Sequence, residues 1–152
     1  MALNLKIIKL VIDNDAVERY NQYYFSVHTK ATKKPILHPY HESINTWMIM
    51  KRPMMNALKQ KWKNFICYFV EEQGYSNLNI NKCEITQTVY YPNNRRHDID
   101  NSVPKFILDG LTESGMIKDD DMETITKLTL ICKKDLYNPR TELKIKVLRA
   151  TE

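Results

Sequence analysis

The sequence predicts an α+β fold: a single domain whose mixed β-sheet carries two main helices. Three observations carry that prediction. Segments rich in β-branched and aromatic residues recur at both ends of the chain and in its middle. Between them lie one long and one shorter stretch with apolar residues three and four apart, the helical spacing. And 152 residues with only three glycines, no repeat and no low-complexity tract form one uninterrupted unit, long enough to bury a core.

Residues 5–12 (LKIIKLVI) and 22–28 (QYYFSVH) have the aliphatic and aromatic content of strands and are expected to pair as a hairpin. Residues 29–35 (TKATKKP) form a basic loop, and Pro35 and Pro39 extend irregular structure towards residue 50. Pro53 suits the first turn of a helix that runs to Gly74. Its stripe is Met55, Leu58, Trp62, Phe65, Ile66 and Phe69, with Lys59, Lys61 and Lys63 mostly off it. Residues 82–91 (KCEITQTVYY) read as a strand ended by Pro92-Asn93-Asn94. A second helix is expected from an N-cap at Asn101 or Ser102, with Pro104 in its first turn and an end near Gly115. Val103, Ile107 and Leu111 make its buried stripe, while Lys105 and Asp109, at i and i+4, share another face. Residues 123–133 and 142–148 alternate as two further strands joined by a turn at Asn138-Pro139.

The apolar fraction of 43% and charged fraction of 27% are those of an ordinary soluble globular protein. No apolar run approaches a membrane span, and residues 1–15 lack the cleavage site of a signal peptide. Cys67, Cys83 and Cys132 are odd in number and sit among apolar neighbours, which points to free thiols in a reducing cytoplasm. A net charge of +5 hints at a polyanionic partner. Its distribution says more: residues 26–70 hold eight cations (Lys30, Lys33, Lys34, Lys51, Arg52, Lys59, Lys61, Lys63) against the single acid Glu42. Such a concentrated footprint is what contact with a phosphate backbone requires. Tyr40, Trp47 and Trp62 lie among these cations, either for base stacking or, the better fit, for packing in the core or against another subunit.

The chemistry concentrates between Arg95 and Asp121, RRHDIDNSVPKFILDGLTESGMIKDDD, where six of the nine aspartates fall. Crowded carboxylates repel unless solvent, a cation or a shared proton relieves them. In extended backbone Asp98 and Asp100 point to one side and so reach one cation. After the helix, Asp119, Asp120 and Asp121 return. Hard oxygen donors of this kind suit Mg²⁺, with Mn²⁺ as a substitute. Such a metal activates water and stabilises the oxygens of phosphodiester hydrolysis. Lys105 supplies positive charge against the developing phosphorane, and Arg95 and Arg96 hold neighbouring phosphates. The same residues also suit helix capping and a solvated turn, so spacing alone leaves both readings open. The spacing does exclude an EF-hand, which needs glycine where Val103 stands, and there is no glycine-rich phosphate loop.

The stretch DIDNSVPKFILDGLTESGMIKDDD resembles the signature of the RusA-type Holliday junction resolvases: Asp-x-Asp-Asn, a lysine, an aliphatic run with Asp-(Ala/Gly)-Leu, a glycine, then Asp-Asp. The match covers residues 95 to about 125, more loosely the long helix and flanking strands, and Ser43-Ile44-Asn45 resembles the family's Ser/Asn-containing loop. One departure stands out: three residues, one of them Pro104, separate Asn101 from Lys105 where the family has two. The resemblance implies a RusA-like fold. It assigns metal-ligand roles to Asp98, Asp100 and Asp120, with Asp119 and Asp121 as alternatives to the last, and makes Lys105 the catalytic lysine. It further implies a cytoplasmic homodimer that cuts branched, four-way DNA in recombination and repair with Mg²⁺. Lys51, Arg52, Lys59 and Lys63 join Arg95 and Arg96 as expected nucleic-acid contacts, and residues 1–34 stand as a possible N-terminal β extension. A phage or prophage origin is in keeping with the family and with the AT-rich codon bias that Lys, Ile, Asn and Tyr imply. Two other readings are a junction-binding dimer without catalysis and a general branched-DNA nuclease.

Overall fold

A computed structural model describes residues 6–150. The elements run β1 (Lys6–Asp13), α1 (Asn14–Val27), a short α2 (Ile44–Trp47), α3 (Arg52–Glu72), β2 (Ile80–Tyr91), a 3₁₀ turn (Ile99–Ser102), α4 (Lys105–Glu113), β3 (Ile125–Lys134) and β4 (Arg140–Ala150). The fold is α+β, a four-stranded mixed sheet with three main helices rather than two.

The extra helix is α1, where a strand over 22–28 was expected. Its aromatic content misled, because the residues that bury are Ala16, Val17, Tyr20 and Asn21, a helical stripe. Asp13 caps the helix by accepting the Ala16 N–H at 2.9 Å. The expected N-terminal hairpin is therefore absent among the described residues. β1 instead pairs antiparallel with β4, from Lys6 opposite Val147 to Asp13 opposite Arg140. The first 34 residues thus supply an edge strand and a helix to the main sheet, and Leu5 of the expected strand lies outside the described residues.

Strand order is β1-β4-β2-β3. β4 runs antiparallel to both its neighbours, and β2 to β3 is parallel, from Cys83–Ile125 to Tyr91–Lys134. A parallel pair needs a crossover, and here the crossover is the 3₁₀ turn and α4. Every residue expected to be catalytic lies in these two elements or directly beside them in the same connection, residues 92–124. β3 and β4 follow one another through the turn before Arg140 without pairing, because β2 lies between them.

One face of the sheet is covered by helices. Ile8, Leu10, Ile12, Ile85, Leu143 and Ile145 meet Trp62, Phe65, Ile66 and Phe69 of α3 and Ile107 and Leu111 of α4. Each such side chain contributes about 1.5–3 kcal/mol by leaving water. The α3 stripe is the one its spacing predicts, Met55 and Leu58 packing at its margin, and the helix ends at Gly74 with φ +82. Gly110 of α4 faces Ile66 so closely that a Cβ there would lie 2.5 Å from the Ile66 Cβ, so glycine sets the α3–α4 approach. Val103 falls outside α4, and Pro104 precedes it instead of occupying its first turn.

Trp62 is only 1% exposed, which removes it from any DNA or subunit surface. Trp47 is half-buried against Phe106, with ring centroids 5.1 Å apart. Cys67, Cys83 and Cys132 are free thiols. No helix among the described residues is long and apolar enough to cross a membrane.

Candidate active site

β2 delivers the chain at Tyr91, and the following loop folds back on it. The His97 ring lies flat on the Tyr91 ring, centroids 3.7 Å apart, and contacts Asn93 Oδ1 at 3.2 Å. Asp98 is extended (φ −78, ψ 133), but Asp100 sits within the 3₁₀ turn. The pair therefore does not share a side by strand alternation, as extended backbone would have it. Two hydrogen bonds hold the turn: Ser102 Oγ donates to Ile99 O at 2.6 Å, and buried Gln87 Nε2 donates to Ser102 O at 2.8 Å. Pro104 (φ −87, ψ 59) is the centre of an inverse γ-turn closed by the Lys105 N–H on Val103 O at 3.0 Å. Its missing donor and fixed φ separate the 3₁₀ turn from α4.

At the start of α4, Lys105 Nζ lies 3.0 Å from Asp109 Oδ1 and 3.5 Å from Asp120 Oδ2. The three aspartates after α4 divide their work. Asp119 Oδ1 accepts the Asp120 N–H at 2.7 Å, and Asp121 Oδ1 accepts the N–H groups of Glu123 and Thr124 at 3.2 and 2.9 Å. Asp120 alone of the three pairs with Lys105. Partial burial works against its ionisation, yet contacts with Asp109, the Lys105 charge and Asp119 together hold its carboxyl below the ordinary aspartate value. The hydrogen bond to Asp109 outweighs burial at Lys105 and raises the ammonium above its usual value.

Asp109, expected to share a helix face with Lys105 but not assigned a role, is central here. Its side chain is 13% exposed, and its Oδ2 is buried without a hydrogen-bond partner, Lys59 Nζ standing off at 3.8 Å. The signal for it was the i, i+4 spacing with Lys105. The carboxylate oxygens at this site have the donor chemistry of a Mg²⁺ or Mn²⁺ ligand set, and that orphaned oxygen is free to accept. As they stand, no three histidine, cysteine, aspartate or glutamate side chains among the described residues gather closely enough to hold a metal ion. Asp98, just before the 3₁₀ turn, and Asp100 within it stand exposed, Asp98 3.4 Å from the still more exposed Arg96.

The loop before α3 reaches this region in two places. Ser43 and Asn45 line a cleft of about 240 Å³ together with Asp98, Asn101, Arg96 and His97. His41, which sequence reasoning passed over, is the second contact. Its Nε2 accepts the Phe106 N–H at 3.0 Å, and its Nδ1 donates to Glu42 O at 2.6 Å, which fixes a neutral ring and clamps the loop to the start of α4. Glu42 is itself raised above the ordinary glutamate value by burial, although Trp62 Nε1 donates to it at 2.7 Å.

Burial pushes His41 down from 6.5 to about 4. Between those values the unfolded chain binds a proton that the folded chain does not, so stability falls as pH drops through that window and the loss levels off below it. We expect a loss on the order of 3 kcal/mol from this residue, at 1.36 kcal/mol per unit. Urea unfolding at pH 7.5 and 4.5 checks it: the difference should shrink in His41→Asn, and an unchanged difference would mean that other groups set the acid limb.

The expected DNA-binding cations divide. Lys63 Nζ is bound to Glu113 at 2.7 Å and Lys59 faces Asp109, so both look into α4. Lys51 and Arg52 are exposed at the start of α3, and Arg95 is exposed beside Arg96. No protein-family model matches this chain, and no curated protein matches it in sequence.

Proposed function

We propose that the protein is a Mg²⁺-dependent, structure-selective endodeoxyribonuclease that resolves four-way DNA junctions as a homodimer. The observation that carries this reading is the meeting of Lys105, Asp109 and Asp120 at the start of α4, fifteen residues of chain apart and directly after the Asp98–Asp100 turn. A structural cap or a solvated turn has no need to gather a lysine with two carboxylates from separate segments.

Asp98, Asp100 and Asp120 would hold the metal, with Asp98 leaving its weak, exposed pairing with Arg96. The bound metal would supply an activated water and charge stabilisation at the phosphate. Lys105, held by Asp109, is placed to stabilise charge building on the phosphate oxygens. Ser43, Asn45 and Asn101 offer neutral hydrogen-bonding groups for the strand at the neighbouring cleft. Two active sites in a two-fold dimer would match the approximate two-fold symmetry of a four-way junction.

The test is cleavage of an end-labelled synthetic junction with Mg²⁺ and with EDTA, beside linear duplex and a Y-shaped substrate. Paired, symmetric, Mg²⁺-dependent nicks in the junction alone are expected. Cutting of every branched substrate would make it a general branched-DNA nuclease. Binding without cutting would make it a structural junction binder, and no binding would end the proposal. Asp100→Asn is expected to abolish nicking while junction binding in EDTA persists.

A further inference from the structure

We infer that the cleft between the loop after β2 and the C-terminal end of β3 is a phosphate-binding site, suited to a backbone phosphodiester of a polynucleotide strand. The cleft encloses about 340 Å³ and is lined by Arg95, Lys133, Lys134, Asn94, His97 and Tyr91 among others. Its cations differ from those around the acidic residues of α4 and the 3₁₀ turn. Lys59, Lys63, Lys105 and Arg96 each face a carboxylate. Among the described residues no carboxylate pairs with Arg95 or with Lys134, whose partner is the neutral Asn94. The nearest acid in sequence, Asp135, is taken by Arg140 at 2.9 Å and by the N–H groups of Tyr137 and Asn138.

Lys134 donates to Asn94 Oδ1, a neutral partner that positions the ammonium and leaves its charge uncompensated. Lys133 Nζ instead lies 5.9 Å from the Tyr90 ring centroid, on the sheet face opposite Tyr91, so the charge of the cleft comes from Arg95 and Lys134. Like charges gathered in a concave, acid-free surface focus the field and draw an anion. Position gives the class of anion. The stacked His97 and Tyr91 line this cleft and also the one that holds Asp98 and Asn101, so the two share a wall. A strand whose reacting phosphate lies on the acidic side would lay a neighbouring phosphate on the cationic side. That last step rests on the nuclease reading; the phosphate chemistry rests on the cleft alone.

Two measurements on the Arg95→Gln/Lys134→Gln double variant test it, with Lys144→Gln/Lys146→Gln on the open sheet face as the charge-matched control. One is the salt dependence of four-way-junction binding in EDTA. The other is a titration of the free protein with inorganic phosphate, followed by the NMR signals of the His97 ring. Loss of two phosphate contacts should flatten the log Kd against log salt slope by about 1.8, with the control flattened less, and phosphate should shift His97 in wild type but not in the double variant. A flattened slope without a His97 shift supports a strand phosphate; a His97 shift without a slope change supports free phosphate as the ligand and removes the strand. An unchanged slope with no shift overturns the inference while leaving the nuclease reading intact. If wild type binds no DNA, the nuclease reading fails and the His97 titration decides the cleft by itself.

Discussion

Gly110→Ala is expected to destabilise the protein by about 2 kcal/mol, within the usual cost of overpacking a core, and to lower Tm by roughly 4–8 °C. On a free helix surface the same change is favourable, because alanine is the better helix former by about 1 kcal/mol. Here the added methyl would lie 2.5 Å from Ile66 Cβ and 2.8 Å from Ile66 Cγ2, both on the fully buried face of α3. Ile66 Cβ is fixed by the helix backbone and no change of rotamer moves it, so α3 and α4 must part. Lys105 and Asp109 ride on α4, and the displacement is expected to loosen their pairing with Asp120 as well. Thermal melting by circular dichroism checks the stability; an unchanged or higher Tm would mean that the two helices separate at no cost. The glycine of the Asp109-Gly110-Leu111 segment is therefore a packing requirement, independent of catalysis.

Much of the fold was legible because burial leaves a periodic trace. The α3 stripe, the β2 alternation and the glycine stop at residue 74 follow directly from it. α1 did not, because Tyr23, Tyr24, Phe25 and Val27 are residues of high strand propensity. Tertiary contacts decided instead: Tyr20 packs on Phe65 at 5.2 Å, and Asn21 Nδ2 holds Ile36 O at 2.9 Å, contacts distant in sequence. Strand order was equally hidden, since nothing local states that β2 parts β3 from β4.

The candidate site divides in the same way. The pairing of Lys105 with Asp109 is an i, i+4 relation and could be read directly. That Asp120 rather than Asp119 or Asp121 meets Lys105 depends on which of three adjacent carboxylates the turn consumes, and three identical residues carry no such information. His41 gave no signal at all, because its role exists only once the loop before α3 reaches the start of α4. The basic segment misled in part: charge counted along the chain cannot show that Lys59 and Lys63 face the acids of α4.

Asp120→Asn is expected to slow Mg²⁺-dependent junction cleavage at least about a hundredfold, roughly 2.7 kcal/mol of transition-state stabilisation, with junction binding in EDTA unchanged. Asp121→Ala should do the opposite. It removes the acceptor for the Glu123 and Thr124 N–H groups, costs about 1 kcal/mol of stability as a lost cap does, and leaves cleavage within a few-fold of wild type. The acid limb separates the two further. Because the Asp120 carboxyl is held below its ordinary value, its contribution to stability is in place above the unfolded value of 3.8 and disappears as pH falls through the lowered one. The stability difference between wild type and Asp120→Asn should therefore be constant near neutrality and shrink only in strong acid, whereas cleavage by the variant should be slowed at every pH. Cleavage at wild-type rate by Asp120→Asn, together with a collapse in Asp121→Ala, would move the third acidic role one residue along and reduce the Lys105–Asp120 contact to an ordinary ion pair.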